Sequence, residues 1–237
     1  MTDAYEFIAI GSGPSGESAA ELAAFFGHRS AVIEKARPVT TTGGVPTKTL
    51  REAALYFSGL AEGGIHGLRS AAPVEVAIDI IRKRTWEVCG VLQRETFENI
   101  TRSHVDYIEG EASLDPDGTV PVAGSDGGEH RLRAKAVLIA TGSLPRRPKN
   151  ISFDIPGVCD TDTILYRGHP PRDILIVGGG PIGVEFATIC HALGAKVAIA
   201  DLGSRLIPAM DGELSNWMGE LFGKWGVSVY FGSTAEH

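Results

Sequence analysis

Two hexapeptides in this chain, Gly11-Ser12-Gly13-Pro14-Ser15-Gly16 and Gly178-Gly179-Gly180-Pro181-Ile182-Gly183, repeat one G-x-G-x-x-G spacing. Glycines at those intervals let the backbone turn tightly, bring its N–H groups close to a pyrophosphate and pack a helix against a strand. Counting from the last glycine, a small residue recurs four positions on (Ala20, Ala187), a glycine eleven on (Gly27, Gly194) and an acid eighteen on (Glu34, Asp201). A carboxylate at that distance can accept hydrogen bonds from a ribose diol. With 30 glycines among 237 residues, a Gly-rich surface turn is the alternative for either copy alone. Agreement of these features at one offset predicts two dinucleotide sites.

The elements that must position these residues are short apolar strands and the helices that follow them. Phe7-Ile8-Ala9-Ile10 precedes the first copy and Ile174-Leu175-Ile176-Val177 the second, each a run of the kind found in buried parallel strands. The first unit reads as a strand over 5–10, a helix over about 16–26 and a strand ending at Glu34, with Lys35 beyond it. Residues 36–44 are rich in Thr, Pro and Gly and read as a loop. Pro46-Thr47-Lys48 opens a helix, proline suiting the first turn. A second helical region over about 74–101 places Ile81, Trp86, Val88 and Leu92 on an apolar stripe.

From Val105 the periodicity shortens to strands broken by Asp115-Pro116-Asp117-Gly118 and Gly124-Ser125-Asp126-Gly127-Gly128, a small β-meander inserted before the strand Ala136-Val137-Leu138-Ile139-Ala140. A proline-rich stretch over 145–148 suggests a boundary near Asn150. Residues 173–201 form a second βαβ unit, and Val227–Phe231 reads as its third strand. The predicted class is α/β, with two Rossmann-like domains and a small β-meander insertion. Residues 1–150 form the first domain and 151–237 the N-terminal part of a second, incomplete one.

A formal charge of -7, with 22 basic against 29 acidic residues, disfavours nucleic acid as a partner. Arg82-Lys83-Arg84, the densest basic run, reads as a solvated helix face. No apolar stretch reaches membrane-spanning length, and the first strand starts too near Met1 for a signal peptide, so the expected location is the cytoplasm. Cys89, Cys159 and Cys190 show no CxxC or metal-ligand spacing, and the histidines fall singly; no metal is expected.

Taken in order, these motifs resemble those of the flavin-dependent pyridine nucleotide-disulfide oxidoreductases: strand, G-x-G-x-x-G, acidic strand end, PxK helix start, Ala140-Thr141-Gly142 turn and second G-x-G-x-x-G. The resemblance implies FAD at the first fingerprint and NAD or NADP at the second. It places Ala140-Thr141-Gly142 beside the FAD site and Gly110-Glu111-Ala112 near the adenine. It also matches Lys48 and Glu185 to a lysine–glutamate pair that the family holds beside flavin N5. A lysine there offers positive charge to an anionic isoalloxazine, and the carboxylate keeps that cation positioned. Two unrelated surface charges are the alternative.

The family's redox cysteines would fall at Val39 and Gly44, so a dithiol relay is not expected. The loop between Glu34 and Pro46, whose own Gly43-Gly44 lies next to the helix start, lacks the Gly-Gly that in relatives approaches the FAD pyrophosphate and is shorter than their pattern. Hydride must then pass to another small acceptor: a second nicotinamide nucleotide, oxygen or a quinone. The stretch Pro46-Thr47-Lys48-Thr49-Leu50-Arg51-Glu52-Ala53-Ala54-Leu55-Tyr56 looks most like soluble, Si-specific NAD(P) transhydrogenases, which implies hydride moving from NADPH to NAD through FAD. The alternatives are an NAD(P)H oxidase or quinone reductase, a dihydrolipoyl-dehydrogenase-like flavoprotein, and a non-catalytic nucleotide-binding fragment. Asp201 favours the free ribose diol of NAD over a 2′-phosphate, with Arg205 as a basic residue able to offset it. Relatives carry a further C-terminal dimerisation domain, absent here, so the homodimer implied for full-length members is not expected of this chain.

Overall fold

A computed structural model of the chain describes residues 3–35, 43–59, 74–125, 127–167 and 171–235. It divides into two compact units, one from the described residues of Met1–Thr42 and Glu87–Leu144, the other from those of Gly43–Trp86 and Pro145–His237.

In the first unit, β1 (Asp3–Ile10), α1 (Pro14–Phe25) and β2 (Ser30–Glu34) form the expected βαβ start. Three more strands follow, β3 (Asp106–Ala112), β4 (Thr119–Gly124) and β5 (Glu129–Ile139). β1 pairs in parallel with β2 and β5, β2 in parallel with β3, and the antiparallel pairs β3–β4 and β4–β5 close the ring. The meander and the strand that follows it are thus continuous. β5 pairs with β4 through its first half and with β1 along most of its length.

Side chains of β1 alternate as period two requires. Ile8 and Ile10 enter the core with Ile33, Val120, Val122 and Leu132, while Ala9 packs on the other face with Ala20, Val32, Ile100 and Val105. The small Ala9 and Ala20 let α1 lie close on the strands. On β5, Arg131, Arg133 and Lys135 turn outward to Asp115 at 2.8 Å, Asp117 at 3.0 Å and Glu6 at 2.8 Å. Asp117 also accepts from the Thr119 N–H at 3.0 Å and shapes the β3–β4 turn, where Gly118 adopts φ +80.

The second unit contains α2 (Gly44–Ser58), β6 (Asp173–Val177), α4 (Pro181–Ala192), β7 (Lys196–Asp201), α5 (Gly212–Trp225) and β8 (Ser228–Phe231). The strands form a parallel sheet in the order β6-β7-β8. The long helix α3 (Val74–Arg102) begins in this unit and passes to the first after Trp86. α2 starts two residues before Pro46, which remains within the first turn.

The buried stripe of α3 runs through Ile78, Ile81, Thr85, Cys89, Thr96 and Ile100; the expected Trp86, Val88 and Leu92 are only half-buried. Threonines are admitted because their hydroxyls have partners, Thr85 on the Ile81 carbonyl at 2.9 Å and Thr96 on Glu17 at 3.1 Å. Ile78 and Ile81 join Ala54, Leu165, Phe186, Ile189 and Leu193 in one core. A second core gathers Val184, Ala187, Val197, Ile199, Leu206 and Phe222.

Two features of this unit differ from the sequence reading. β6 is buried on one face only, leaving Leu175 and Val177 about half exposed, because among the described residues nothing covers the opposite side of that edge strand. The segment between β7 and β8, to which the motifs assign no element, is α5. Its ends follow ordinary capping rules: the Asp211 side chain accepts from the Glu213 N–H at 2.8 Å, and Gly226 closes the helix at φ +75.

Asp160 organises the stretch before a short 3-10 turn, Thr163–Tyr166. Burial alone would raise its carboxyl, but the Thr163 N–H and hydroxyl and the Arg147 guanidinium override burial and bring it down to about 2. Since the folded value lies below the unfolded one, this stabilisation is present above about pH 4 and is lost as pH falls toward about 2. Asp160→Asn should lower stability at pH 7 by about 1–3 kcal/mol in urea unfolding, the gap closing as the pH is lowered.

Candidate functional site

The two fingerprints share their backbone geometry. Gly11 and Gly178 take φ +107 and +112, and their N–H groups donate to Ile33 and Ala200 carbonyls, each at 2.8 Å. A Cβ on Gly16 or Gly183 would lie 1.9 Å from the carbonyl oxygen of Gly11 or Gly178, so only glycine fits where helix meets turn. Gly27 and Gly194 end the helical segments at φ +82 and +87.

At the N-caps Gly13 and Gly180, neither helix receives a side-chain cap, and a Cβ on either glycine would meet nothing within 4 Å. Pro14 and Pro181 occupy the next position, where a missing N–H costs nothing. No side chain therefore caps the first turn of α1 or α4, and the positive end of each helix dipole is left for an incoming anion. That cradle fits a pyrophosphate. Ser15 and Ile182 lie exposed beside it.

Each acid reaches back to the second residue of its own fingerprint. The Glu34 Oε2 accepts from the Ser12 N–H and hydroxyl, both at 2.9 Å, and the Asp201 Oδ2 accepts from the Gly179 N–H at 2.5 Å. Residue 12 tolerates a serine, whereas a Cβ at 179 would come within 2.7 Å of Leu206 Cδ2. Both contacts escape motif reading, because they depend on side-chain direction at a strand end.

Around the first copy, the Ala140-Thr141-Gly142 turn follows β5 directly, and a Cβ on Gly11 would fall 2.3 Å from the Ala140 carbonyl oxygen. Fingerprint and turn therefore touch. Gly142 adopts φ +71. The register Glu34↔Glu109 puts Glu111 and Ala112 just past the acid on the neighbouring strand, while exposed Lys35 follows β2.

In the second unit, Lys48 on α2 meets Glu185 on α4. Its Nζ donates to Oε1 at 2.6 Å and to Oε2 at 2.7 Å, with the Glu185 side chain 17% exposed and that of Lys48 65% exposed. The carboxylate is mostly shielded from solvent, and the lysine that reaches it is largely exposed. An exposed pair of this kind adds at most about 1 kcal/mol to stability, so folding alone gives it little reason to exist. Thr47 is buried, its hydroxyl bonded to the Gly43 carbonyl at 2.7 Å. It fixes the start of α2 under Lys48.

All three cysteines are free thiols. Burial pushes Cys89 and Cys159 up and Cys190 to about 12, which keeps them protonated and poorly nucleophilic. The expected loop and Val39 lie outside the described residues, apart from the loop's last residues, Gly43 and Gly44. Among the described residues no helix is long and apolar enough to cross a membrane.

Residues 5–237 match the family model described as pyridine nucleotide-disulphide oxidoreductase. The chain is 32% identical to the soluble pyridine nucleotide transhydrogenase of Colwellia psychrerythraea, over 98% of this chain and 50% of that protein. It is also 32% identical to the one of Mycobacterium bovis, over 89% of this chain and 46% of that protein. The HOCl-induced flavoprotein disulfide reductase RclA from Escherichia coli, solved as a Cu(II) complex, superposes with a TM-score of 0.82 at 26% identity, over 100% of this chain and 51% of that one. The chain thus spans about half the length of the relatives it matches. With the model match running from the first strand through both fingerprints, the chain belongs to the pyridine nucleotide-disulphide oxidoreductase family.

Proposed function

We propose that this chain is the nucleotide-binding portion of a flavoprotein that moves hydride between nicotinamide nucleotides, a pyridine nucleotide transhydrogenase, with FAD at the first fingerprint and the nicotinamide nucleotide at the second. In this reading residues 1–150 serve FAD and 151–237 serve NAD(P). When bound, FAD supplies the chemistry, accepting hydride from one nicotinamide nucleotide and returning it to another.

The protein's part is binding, orientation and charge. The α1 N-terminus and Gly13 would take the FAD pyrophosphate, Glu34 the ribose, and the Ala140-Thr141-Gly142 turn and Glu111-Ala112 backbone the rest of the nucleotide. The α4 N-terminus and Gly180 would take the second pyrophosphate. Lys48 would lend positive charge where the cofactor becomes anionic, and Glu185 keeps that ammonium in one place.

The observation that carries the choice within the family is the missing dithiol: Val39 and Gly44 stand where the cysteines belong, and of the thiols present Cys89 and Cys190 are buried and Cys159 is half-buried. Two-electron traffic then has no thiol step. The transhydrogenase names of the relatives support the same reading. The test is steady-state reduction of thio-NAD by NADH or NADPH after FAD loading, with and without prior iodoacetamide. Turnover that survives alkylation unchanged is expected; loss of turnover on alkylation would return the chain to the disulfide reductases.

A further inference from the structure

Resting on the reading of the second fingerprint as a nicotinamide nucleotide site, we infer that Ile207 is a positioning residue for that site. Held in a strained backbone conformation, its N–H pins the Gly179 carbonyl and keeps the fingerprint turn in the shape a pyrophosphate needs. Among the described residues two besides glycine have positive φ, His104 at +57 and Ile207 at +46. His104 follows from its place at the end of α3, where the N–H groups of His104 and Val105 return to the Thr101 and Ile100 carbonyls. A histidine also enters that region more readily than most residues. Ile207 has neither reason. It is β-branched, it lies between β7 and α5 and ends no helix, and it precedes Pro208, which favours an extended backbone at the residue before it.

Such a conformation persists only where its surroundings enforce it. The Ile207 N–H donates to the Gly179 carbonyl at 2.8 Å, and its own carbonyl accepts from the Met210 N–H at 2.9 Å and the Ser215 hydroxyl at 3.4 Å. Its side chain packs on the core of Val184, Ala187 and Phe222, where Leu206 beside it is buried. With that side chain anchored, an extended backbone at 207 would turn the N–H away from Gly179.

What the strained residue holds is therefore Gly179. The Gly179 N–H donates to Asp201 Oδ2 at 2.5 Å and its carbonyl receives Ile207, so the peptide groups on both sides of this glycine are fixed. Leu206 closes a third side, since a Cβ on Gly179 would lie 2.7 Å from its Cδ2. The second of those peptide groups joins Gly179 to Gly180, the N-cap of α4 that the pyrophosphate approaches. Released by Ile207, this peptide would have to be ordered by the nucleotide on binding. Held, it is in place beforehand, and affinity rises.

Replacing Ile207 by its α-hydroxy acid through nonsense suppression deletes the N–H and keeps the side chain. Ile207→Gly does the reverse, keeping the N–H and admitting the positive φ without strain. In isothermal titration of the purified chain with NAD, the ester should bind about tenfold more weakly than the unaltered chain and Ile207→Gly only about threefold more weakly. The melting temperature should fall further for Ile207→Gly, which loses core contacts. A purely structural role would make affinity follow melting temperature instead. Coupling is reciprocal, so in the unaltered chain saturating NAD should slow hydrogen exchange of the Ile207 amide by about the same tenfold. An ester that binds NAD as the unaltered chain does, an Ile207→Gly that loses as much affinity as the ester, or an Ile207 amide whose exchange ignores NAD would overturn the inference while the nucleotide site stands. If the unaltered chain binds no NAD, the site reading falls, and the inference with it.

Discussion

Gly13→Ala is expected to weaken flavin binding sharply while leaving the fold in place, and Gly180→Ala to do the same for the nicotinamide nucleotide. At each position the backbone is ordinary, φ -65 and -73, and the added methyl meets no protein atom within 4 Å. The methyl instead enters the space above the uncapped helix N–H groups, where a pyrophosphate must approach to hydrogen-bond distance. Displacing an anion from those donors loses charge-assisted hydrogen bonds of about 1.5–3 kcal/mol, or about 10–100-fold in affinity.

The variants should be crossed. Gly13→Ala should reduce bound FAD, read by its visible absorbance, and spare nicotinamide binding; Gly180→Ala should show the converse. Gly16→Ala and Gly183→Ala serve as contrasts, since a Cβ 1.9 Å from a backbone carbonyl forces helix and turn apart. Those two should also melt earlier, by about 3 kcal/mol in unfolding free energy. Equal loss of both nucleotides in either N-cap variant would mean that the fingerprints do not act as separate sites.

The second large effect is expected at Lys48. Lys48→Met removes the cation that Glu185 holds, and anaerobic flavin bleaching by NADH should slow on the order of 100-fold or more, the range seen when a preorganised electrostatic donor is deleted. FAD content should not change. Glu185→Gln keeps the side-chain shape and loosens the ammonium, so a smaller loss of about tenfold is expected, and Lys48→Arg should recover part of the rate. Because the pair is exposed, none of the three should shift the melting temperature by more than about 2 °C. A Lys48→Met protein that bleaches at the parental rate would assign the pair to the surface.

What the sequence made legible were the features enforced by local rules. G-x-G-x-x-G between an apolar run and a helix leaves the backbone one tight geometry, and the agreement of Gly11 with Gly178 and of Gly16 with Gly183 shows how little latitude it has. The Lys48–Glu185 contact came from family order alone, since 137 positions separate the two residues and no periodicity joins them.

Less legible were features decided by what lies next to a segment. Ile174-Leu175-Ile176-Val177 has the composition of a strand buried on both faces, but composition cannot say whether a second layer covers Leu175 and Val177. On α3, Thr85 and Thr96 join the buried stripe because a main-chain carbonyl and Glu17 receive their hydroxyls, partners that a hydrophobicity pattern does not register. The ring formed by β1 to β5 was hidden likewise, because the polar alternation of Arg131, Arg133 and Lys135 masks one continuous strand. α5 carried ordinary signals in Asp211, Glu213 and Gly226 but no motif to draw the eye.

The central claim is that electrons entering from one nicotinamide nucleotide leave to another without a thiol. It is tested most directly by anaerobic stopped-flow on the FAD-loaded protein. NADH should bleach the flavin, and thio-NAD mixed in afterwards should restore the flavin absorbance while thio-NADH appears at the same rate. Restoration by thio-NAD no faster than by oxygen would contradict the account and point to an oxidase or quinone reductase, and a protein that stays colourless with added FAD would contradict it altogether.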